Sequence, residues 1–309
     1  MACSTPWRSR FGASLGPVGK MNEADFIAAL RALPLHEGAR NLQDDAAILE
    51  IGGETLVITH DAMIEGVHYL PDQDMADVAW KLVATNLSDL AAKGAQPLAV
   101  LLGYALGEGD ERFLTGLDAV LGRCGIGLLG GDTVSGDGPR TLGLTAIGRA
   151  SHSPVPARSG AQIGDALYVT GTLGAAMLGF EALRDGNLAD HSAYSRPLAR
   201  VDEGQALAPQ VTAMMDVSDG LLLDTFRMAE ASKVSIAVNT KACPVADPAR
   251  AMECLSWGDD YELLFTLPAG VPCPVKAQRI GKVEPQGFAP LFVDGEAVTH
   301  AQGLGYTHR

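Results

Sequence analysis

Basic residues are scarce: 23 lysines and arginines face 37 aspartates and glutamates, a formal net charge of −14. That balance argues against a nucleic-acid partner, whose phosphates need a positive footprint. Cysteines are few and form no pairs of metal-binding spacing. The five (Cys3, Cys124, Cys243, Cys254, Cys273) are odd in number and include no C-x-x-C, which excludes a disulfide framework and a zinc site and points to a reducing, cytoplasmic setting. No stretch approaches the roughly 18–20 uninterrupted apolar residues of a membrane-spanning helix, so no membrane partner is expected. The opening segment carries Arg8, Arg10 and Lys20 but no continuous apolar core and no clear cleavage site. It does not read as a secretory leader, and residues 1–20 read as a disordered extension.

Familiar catalytic and nucleotide signatures are missing too. Gly19-Lys20 resembles the end of a P-loop, but Ser14 sits where its first glycine belongs and Met21 where a hydroxyl residue belongs. No G-x-G-x-x-G follows a strand, and there is no G-x-S-x-G elbow, H-E-x-x-H helix or activated-cysteine pattern. If a nucleotide binds, an unusual scaffold binds it.

What is present is a chain of 309 residues, 47% hydrophobic, ample for a buried interior. A helix is expected from Met21, with Asn22 as N-cap and Phe26, Ile27 and Leu30 on one face. Short apolar runs on either side of Gly52-Gly53 predict a hairpin. Residues 76–95 carry helical spacing, with Val78, Leu82, Val83, Leu87 and Leu90 as buried positions. Residues 98–106 predict a strand. A helix follows over 111–123, marked by Phe113, Leu114, Leu117, Val120 and Leu121, and another strand over 141–148. The Pro-, Gly- and Ser-rich stretch 151–164 marks a boundary between a domain at 21–150 and a second at 151–309. Beyond it come a strand (166–170), a helix (173–183), a strand-to-helix junction (214–227), strands near 234–238 and 263–267, and a β-rich tail. Strands and helices mix without strict βαβ alternation, which predicts an α+β fold.

The aspartates recur at element ends: Asp44-Asp45, Asp61, Asp89, Asp132, Asp216 with Asp219, and Asp259-Asp260. Any one of them fits an N-cap or turn. As a set they sit beside apolar or small neighbours, where an uncompensated carboxylate is costly and a cation is favoured. Magnesium takes oxygen ligands and is commonly shared between carboxylates and substrate phosphates. Gly130-Gly131-Asp132-Thr133 follows an apolar run, and a glycine pair there lets backbone N–H groups approach an anion. His68 read alone is a structural histidine, and Met214-Met215 read as core.

Together these segments resemble the thiamine-monophosphate kinase family, within the superfamily shared with aminoimidazole ribonucleotide synthetase. The resemblance runs from about Glu23 to Tyr306. It is carried by residues 43–47 (QDDAA), 59–61 (THD), 65–69 (EGVHY), 86–92 (NLSDLAA), 130–133 (GGDT), 158–161 (RSGA) with Gly164-Asp165, Arg196-Pro197 with Arg200, 215–221 (MDVSDGL), 258–263 (GDDYEL) and Gly305-Tyr306. The resemblance implies several Mg2+ ions held by Asp45, Thr59, Asp61, Asp89 and Asp216, with Asp132 and Asp219 completing the set. It implies ATP contacts from Gly131, Asp132, Arg158 and Ser218, and thiamine monophosphate lying against His68, Asp259 and Tyr306. It also implies an N-terminal α+β domain that forms a homodimer through its sheet, with a C-terminal α+β domain covering the site. Four positions depart from the family pattern: His60 replaces a hydroxyl residue, Asp259 a glutamate, Trp257 a small residue, and Ser135 an arginine.

The acceptor would be a phosphate monoester with a second pKa near 6, so its attacking oxygen is anionic at neutral pH and no general base is expected. The expectation is direct in-line transfer from ATP, with metal ions relieving the repulsion between acceptor and triphosphate. Three rival readings stay open: another ATP-dependent member of the superfamily with a different acceptor, a non-catalytic nucleotide-binding protein, and a metal-dependent phosphohydrolase.

Overall fold

The computed structural model describes residues 23–307. The expected N-cap Asn22 and the expected extension at residues 1–20 lie outside them. Two units separate: residues 23–35 with Thr307, and His36–Tyr306. The first holds helix α1 (Glu23–Leu30), on which Phe26 is exposed. Everything that follows belongs to the second.

Strands β1 (Ala47–Ile51) and β2 (Glu54–Ile64) form the hairpin expected around Gly52-Gly53. Helix α2 (Met75–Ala92) follows, capped where the Asp74 carboxylate accepts the Ala76 N–H at 2.9 Å. Next come β3 (Ala95–Ala105), α3 (Asp110–Cys124), β4 (Gly127–Val134) and β5 (Thr141–Ala150). These strands make one mixed sheet in the order β1-β2-β5-β3-β4, in which only β3 and β4 run parallel. Helix α2 packs on one sheet face; Val57, Val78, Leu82, Val83, Leu90, Val100, Leu142, Leu144 and Ala146 form the core between them. Strand periodicity then sorts β2. Val57, Thr59 and Met63 are buried on one face, whereas His60 and Ala62 are exposed on the other.

The second sheet is built from the chain beyond residue 150. It contains β6 (Ala166–Thr170), β7 (Ala213–Asp216), β8 (Ser235–Val238), β9 (Leu263–Leu267), β10 (Ala277–Glu284), β11 (Leu291–Val293) and β12 (Glu296–Val298), in the order β12-β11-β8-β10-β6-β9-β7. Helices α4 (Ala175–Arg184), α5 (Ser192–Ser195), α6 (Val201–Leu207), α7 (Leu221–Ser232) and α8 (Ala251–Ser256) complete it. Leu167, Val169, Met215, Leu222, Ile236, Leu264, Ile280 and Leu291 form its core. The fold is α+β.

Helix α2 joins the two sheets. All its residues but Met75, Trp80 and Asp89 are buried. A Cβ on Gly204 would lie 2.0 Å from the Ala91 carbonyl oxygen, so only glycine lets α6 rest directly on the α2 backbone. One apolar marker of α3 lies outside the core: Leu114 is 60% exposed, because α3 turns that position outward. Residues 127–134 form a strand, β4, that carries Asp132 within it.

Candidate active site

Five polar residues of α2 and its C-cap fall at a four-residue spacing: Asp77, Lys81, Thr85 and Lys93, all buried, and Asp89, half-buried. Residues four apart share a helix face, so this is a polar stripe on a helix otherwise enclosed by apolar packing. Where the stripe meets β2, Thr59 Oγ1 donates to Asp89 Oδ2 and lies 3.3 Å from the Asp45 carbonyl. The backbone N–H of Asp61 donates to Asn86 Oδ1 at 3.0 Å. From the same helix Ser88 Oγ donates to Asp216 Oδ2 at 2.7 Å, reaching the end of β7.

Beyond Asp216 the chain turns into α7. The buried carboxylate of Asp224 accepts the N–H groups of Ser218 at 3.2 Å and Asp219 at 3.1 Å, which fixes that turn. The Arg227 guanidinium pairs with both Asp219 and Asp224. On the opposite side, the fully buried Lys93 ammonium pairs with Asp44 and Asp45 and donates to the Met214 carbonyl at 3.2 Å. Arg158 also pairs with Asp45.

These contacts leave the carboxylates unequal. Burial pushes Asp45 upward, but the charges of Lys93 and Arg158 overcome it and hold the group at about 2. Asp61 is pushed up to about 6, by burial first and then by Asp45 and Asp219, against the opposing charge of His60. Asp89 and Asp216 are raised well above the ordinary carboxylate value, again by burial first and then by neighbouring aspartates. Burial and Asp219 raise Asp224 to about 7. The site therefore concentrates more negative charge than its own cations balance.

Does this donor set fit magnesium? All its side-chain donors are oxygens, as a hard cation requires. Asp45 Oδ2 is buried and makes no hydrogen bond, although Lys93 Nζ stands 2.7 Å away. Buried Arg158 Nε also lacks a partner. Among the described residues no group of three or more His, Cys, Asp or Glu is placed to hold a metal ion by itself. Magnesium commonly takes substrate phosphates and water among its ligands. Asp45, Thr59, Asp61, Asp89 and Asp216 supply the oxygen atoms that could take part in such a site.

The residues singled out from sequence divide into three groups. Asp45, Thr59, Asp61, Asp89 and Asp216 come together, with Asp219, Ser218 and Arg158 beside them. Gly131 and Asp132 stand apart on β4, which is exposed along all eight residues. Asp132 lines a separate cavity of about 980 Å3, together with His60, Tyr69, Ser135 and Arg140. The third group surrounds Lys81. His68 accepts the Ile64 N–H on Nδ1, and its carbonyl accepts from Lys81 Nζ at 3.0 Å. Asp259 Oδ2 lies 2.7 Å from the same ammonium. The Tyr306 N–H donates to the Asp219 carbonyl at 2.9 Å, which places that residue beside the carboxylates. Lys81, Lys93, Asn86, Ser88, Asp224 and Arg227 were not picked out from sequence. For Lys81 and Lys93 the available signal was the four-residue polar spacing along α2.

Comparison with known proteins defines the class. Residues 43–150 match the AIR synthase related protein N-terminal domain, and residues 162–300 match its C-terminal domain. Thiamine-monophosphate kinase of Caulobacter vibrioides is 35% identical, over 98% of this chain and 95% of its own length. The protein of that name from Escherichia coli K12 is 36% identical, over 86% and 90%. A solved structure described as AaThiL complexed with AMPPCP and TMP superposes with a TM-score of 0.83 at 26% identity, over 96% of this chain and all of that one. The chain belongs to the thiamine-monophosphate kinase family. Among the described residues no helix is long and apolar enough to cross a membrane.

Proposed function

We propose that this protein transfers the γ-phosphoryl group of ATP to thiamine monophosphate, giving thiamine diphosphate and ADP, and that it works in the cytoplasm. The observation that carries the reading is the buried carboxylate set contributed by both sheets, in a chain whose relatives bear this activity in their names. The free thiols of Cys124, Cys243, Cys254 and Cys273 agree with a reducing compartment.

Bound Mg2+ ions would neutralise the phosphates and hold them in line. Asp45, Thr59, Asp61, Asp89 and Asp216 would hold those ions, with Asp219 beside them. Arg158 would add a charge-assisted contact to a phosphate oxygen and Ser218 a further ATP contact; Gly131 and Asp132, apart on β4, lie outside this cluster. The segments carrying His68, Asp259 and Tyr306 surround the acceptor. Its phosphate is already ionised at neutral pH, so no residue need remove a proton, and the phosphoryl group passes directly between substrates.

We further propose a homodimer. Among the described residues β4 is paired only along its β3 side, and Leu128, Leu129 and Val134 on it are 50%, 64% and 55% exposed. An open, apolar edge of this kind is a ready surface for a second copy.

The test is incubation with ATP, Mg2+ and thiamine monophosphate, separating thiamine species by chromatography while ADP is followed. Equal amounts of thiamine diphosphate and ADP, abolished by chelator and by Asp89→Ala, are expected. ADP without thiamine diphosphate, or a covalent phosphoenzyme turning over at the catalytic rate, would overturn the reading.

A further inference from the structure

Lys81, on the α2 stripe, takes no part in the carboxylate cluster. Lys81 is 1% exposed, and its ammonium reaches three separate segments. It donates to Asp259 Oδ2 at 2.7 Å and to the His68 carbonyl at 3.0 Å, and it stands 3.8 Å from the centroid of the Tyr194 ring. The same segments are tied to one another. The Tyr194 hydroxyl donates to the His68 carbonyl at 3.3 Å, and the Tyr261 hydroxyl donates to Asp259 Oδ1 at 2.8 Å.

The loop between α8 and β9 is held against its own preference. Asp259 and Tyr261 have φ of 59° and 52°, a left-handed region that a non-glycine residue keeps only where its surroundings impose it. Both carboxylate oxygens of Asp259 are engaged inward by Lys81 and Tyr261. Beside this loop Tyr194, Phe180 and Trp257 form a row of rings, with successive centroids 5.3 Å apart. Trp257, at the outer end, is 37% exposed. Phe180 and Tyr194 meet edge to face, a favourable arrangement for a fixed aromatic surface.

We propose that Lys81 is a positioning residue for the acceptor: its buried ammonium holds the Asp259 loop, the His68 carbonyl and the ring row in the single arrangement that receives the aromatic part of thiamine monophosphate. Asp259 is then the partner of Lys81, and it shapes the site through its loop rather than through its own reach. Trp257, a departure from the family pattern, becomes the outer wall. This inference rests on the kinase reading above.

The expected consequence is a selective loss of acceptor binding. The Asp259 side chain is 27% exposed, so without the ammonium its carboxylate can turn to water and the strained loop relaxes. The carboxylates on β2 and β7 have their own partners and do not depend on Lys81.

The test compares Lys81→Met, Lys81→Arg and the charge-balanced Lys81→Met/Asp259→Asn, using steady-state kinetics and calorimetric binding of thiamine monophosphate without ATP. Lys81→Met should raise KM and Kd for thiamine monophosphate at least about tenfold while KM for ATP changes less than about twofold. The Mg2+-induced rise in thermal midpoint should be that of the parent protein. The double variant should recover the thermal midpoint but not the KM, and it keeps the test readable if Lys81→Met folds poorly. Lys81→Arg, which keeps the charge, should restore part of the affinity. Unchanged acceptor KM in a folded Lys81→Met, equal losses for both substrates, or restored KM in the double variant would each overturn the inference. An active parent with an indifferent variant overturns this inference alone, whereas a parent that forms no thiamine diphosphate overturns the kinase reading as well.

Discussion

Ser88 donates its hydroxyl to Asp216 at 2.7 Å, although 128 positions separate them in the chain. The bond joins α2, which packs on the first sheet, to the last residue of β7 in the second. Both partners are buried, and Asp216 also feels the charges of Asp45, Asp61 and Asp224. This hydroxyl lowers the proton affinity of Asp216, opposing the effect of burial.

Ser88→Ala removes that donor and leaves the carboxylate facing other acids. The expected loss is about 1–3 kcal/mol of folding stability, the usual effect of stranding a buried acceptor. Urea unfolding at neutral pH, with chelator present, measures it. No change in midpoint would show that water replaces the hydroxyl.

Lys93→Met acts on the other side of the cluster. The substitution strips a fully buried ammonium from Asp44, Asp45 and the Met214 carbonyl, leaving two carboxylates with less compensation. Breaking a buried ion pair from one side costs about 3–5 kcal/mol, so Lys93→Met should destabilise more than Ser88→Ala under identical denaturant conditions. The reverse order would mean that Arg158, beside Asp45, and Arg40, which pairs with Asp44 at 2.6 Å, suffice for the two carboxylates.

The pH dependence of the cation-free protein follows from the carboxylates. Asp61 titrates near 6 and Asp224 near 7 in the fold, against an ordinary value of 3.8, so the folded chain holds these protons more tightly than the unfolded chain. Their contribution is intact below pH 3.8 and is lost as pH rises through 6 to 7. Asp45 runs oppositely: its contribution is present above 3.8 and is lost as pH falls through about 2. Thermal midpoints with chelator should therefore fall between about pH 4 and pH 7, and Mg2+ should reduce the fall by binding the ionised set. A midpoint that rises across that range in chelator would contradict the assignment of these groups.

Leu129→Glu places a charge on the open β4 edge, where Leu129 is 64% exposed. Sedimentation should show a dimer for the parent protein and a monomer for the variant. A monomeric parent at micromolar concentration would remove the homodimer from the proposal.

Much of this arrangement was legible in the sequence where the signal was local. Val78, Leu82, Val83, Leu87 and Leu90 are buried as their spacing indicated, and the Gly52-Gly53 hairpin forms where expected. The aspartates could be read as a set from their apolar surroundings, but Asp61, Asp89 and Asp132 lie within β2, α2 and β4 rather than at the element ends expected. Strand β4 was harder to read: its glycines break the alternation that marks a strand, and its ladder to β3 is a tertiary feature. Lys81 and Lys93 were harder still. A lysine in a helix ordinarily reads as solvated, and nothing nearby reveals that Asp259 lies 178 residues away or that the Met214 carbonyl lies 121 away. Leu114 shows the converse, an apolar residue whose spacing suggested core but which the rotation of α3 leaves outside.

Helix α2 carries one further consequence. Lys81 addresses one end of the site and Asp89 the other, and eight residues of regular helix fix their axial separation at about 12 Å. Loops elsewhere can flex without changing that interval, because the helix tilts far more readily than it stretches. A single residue inserted between the two would swing one about 100° around the axis relative to the other. Length, more than composition, is what this helix must keep: under the proposed reading it serves as a gauge between donor and acceptor.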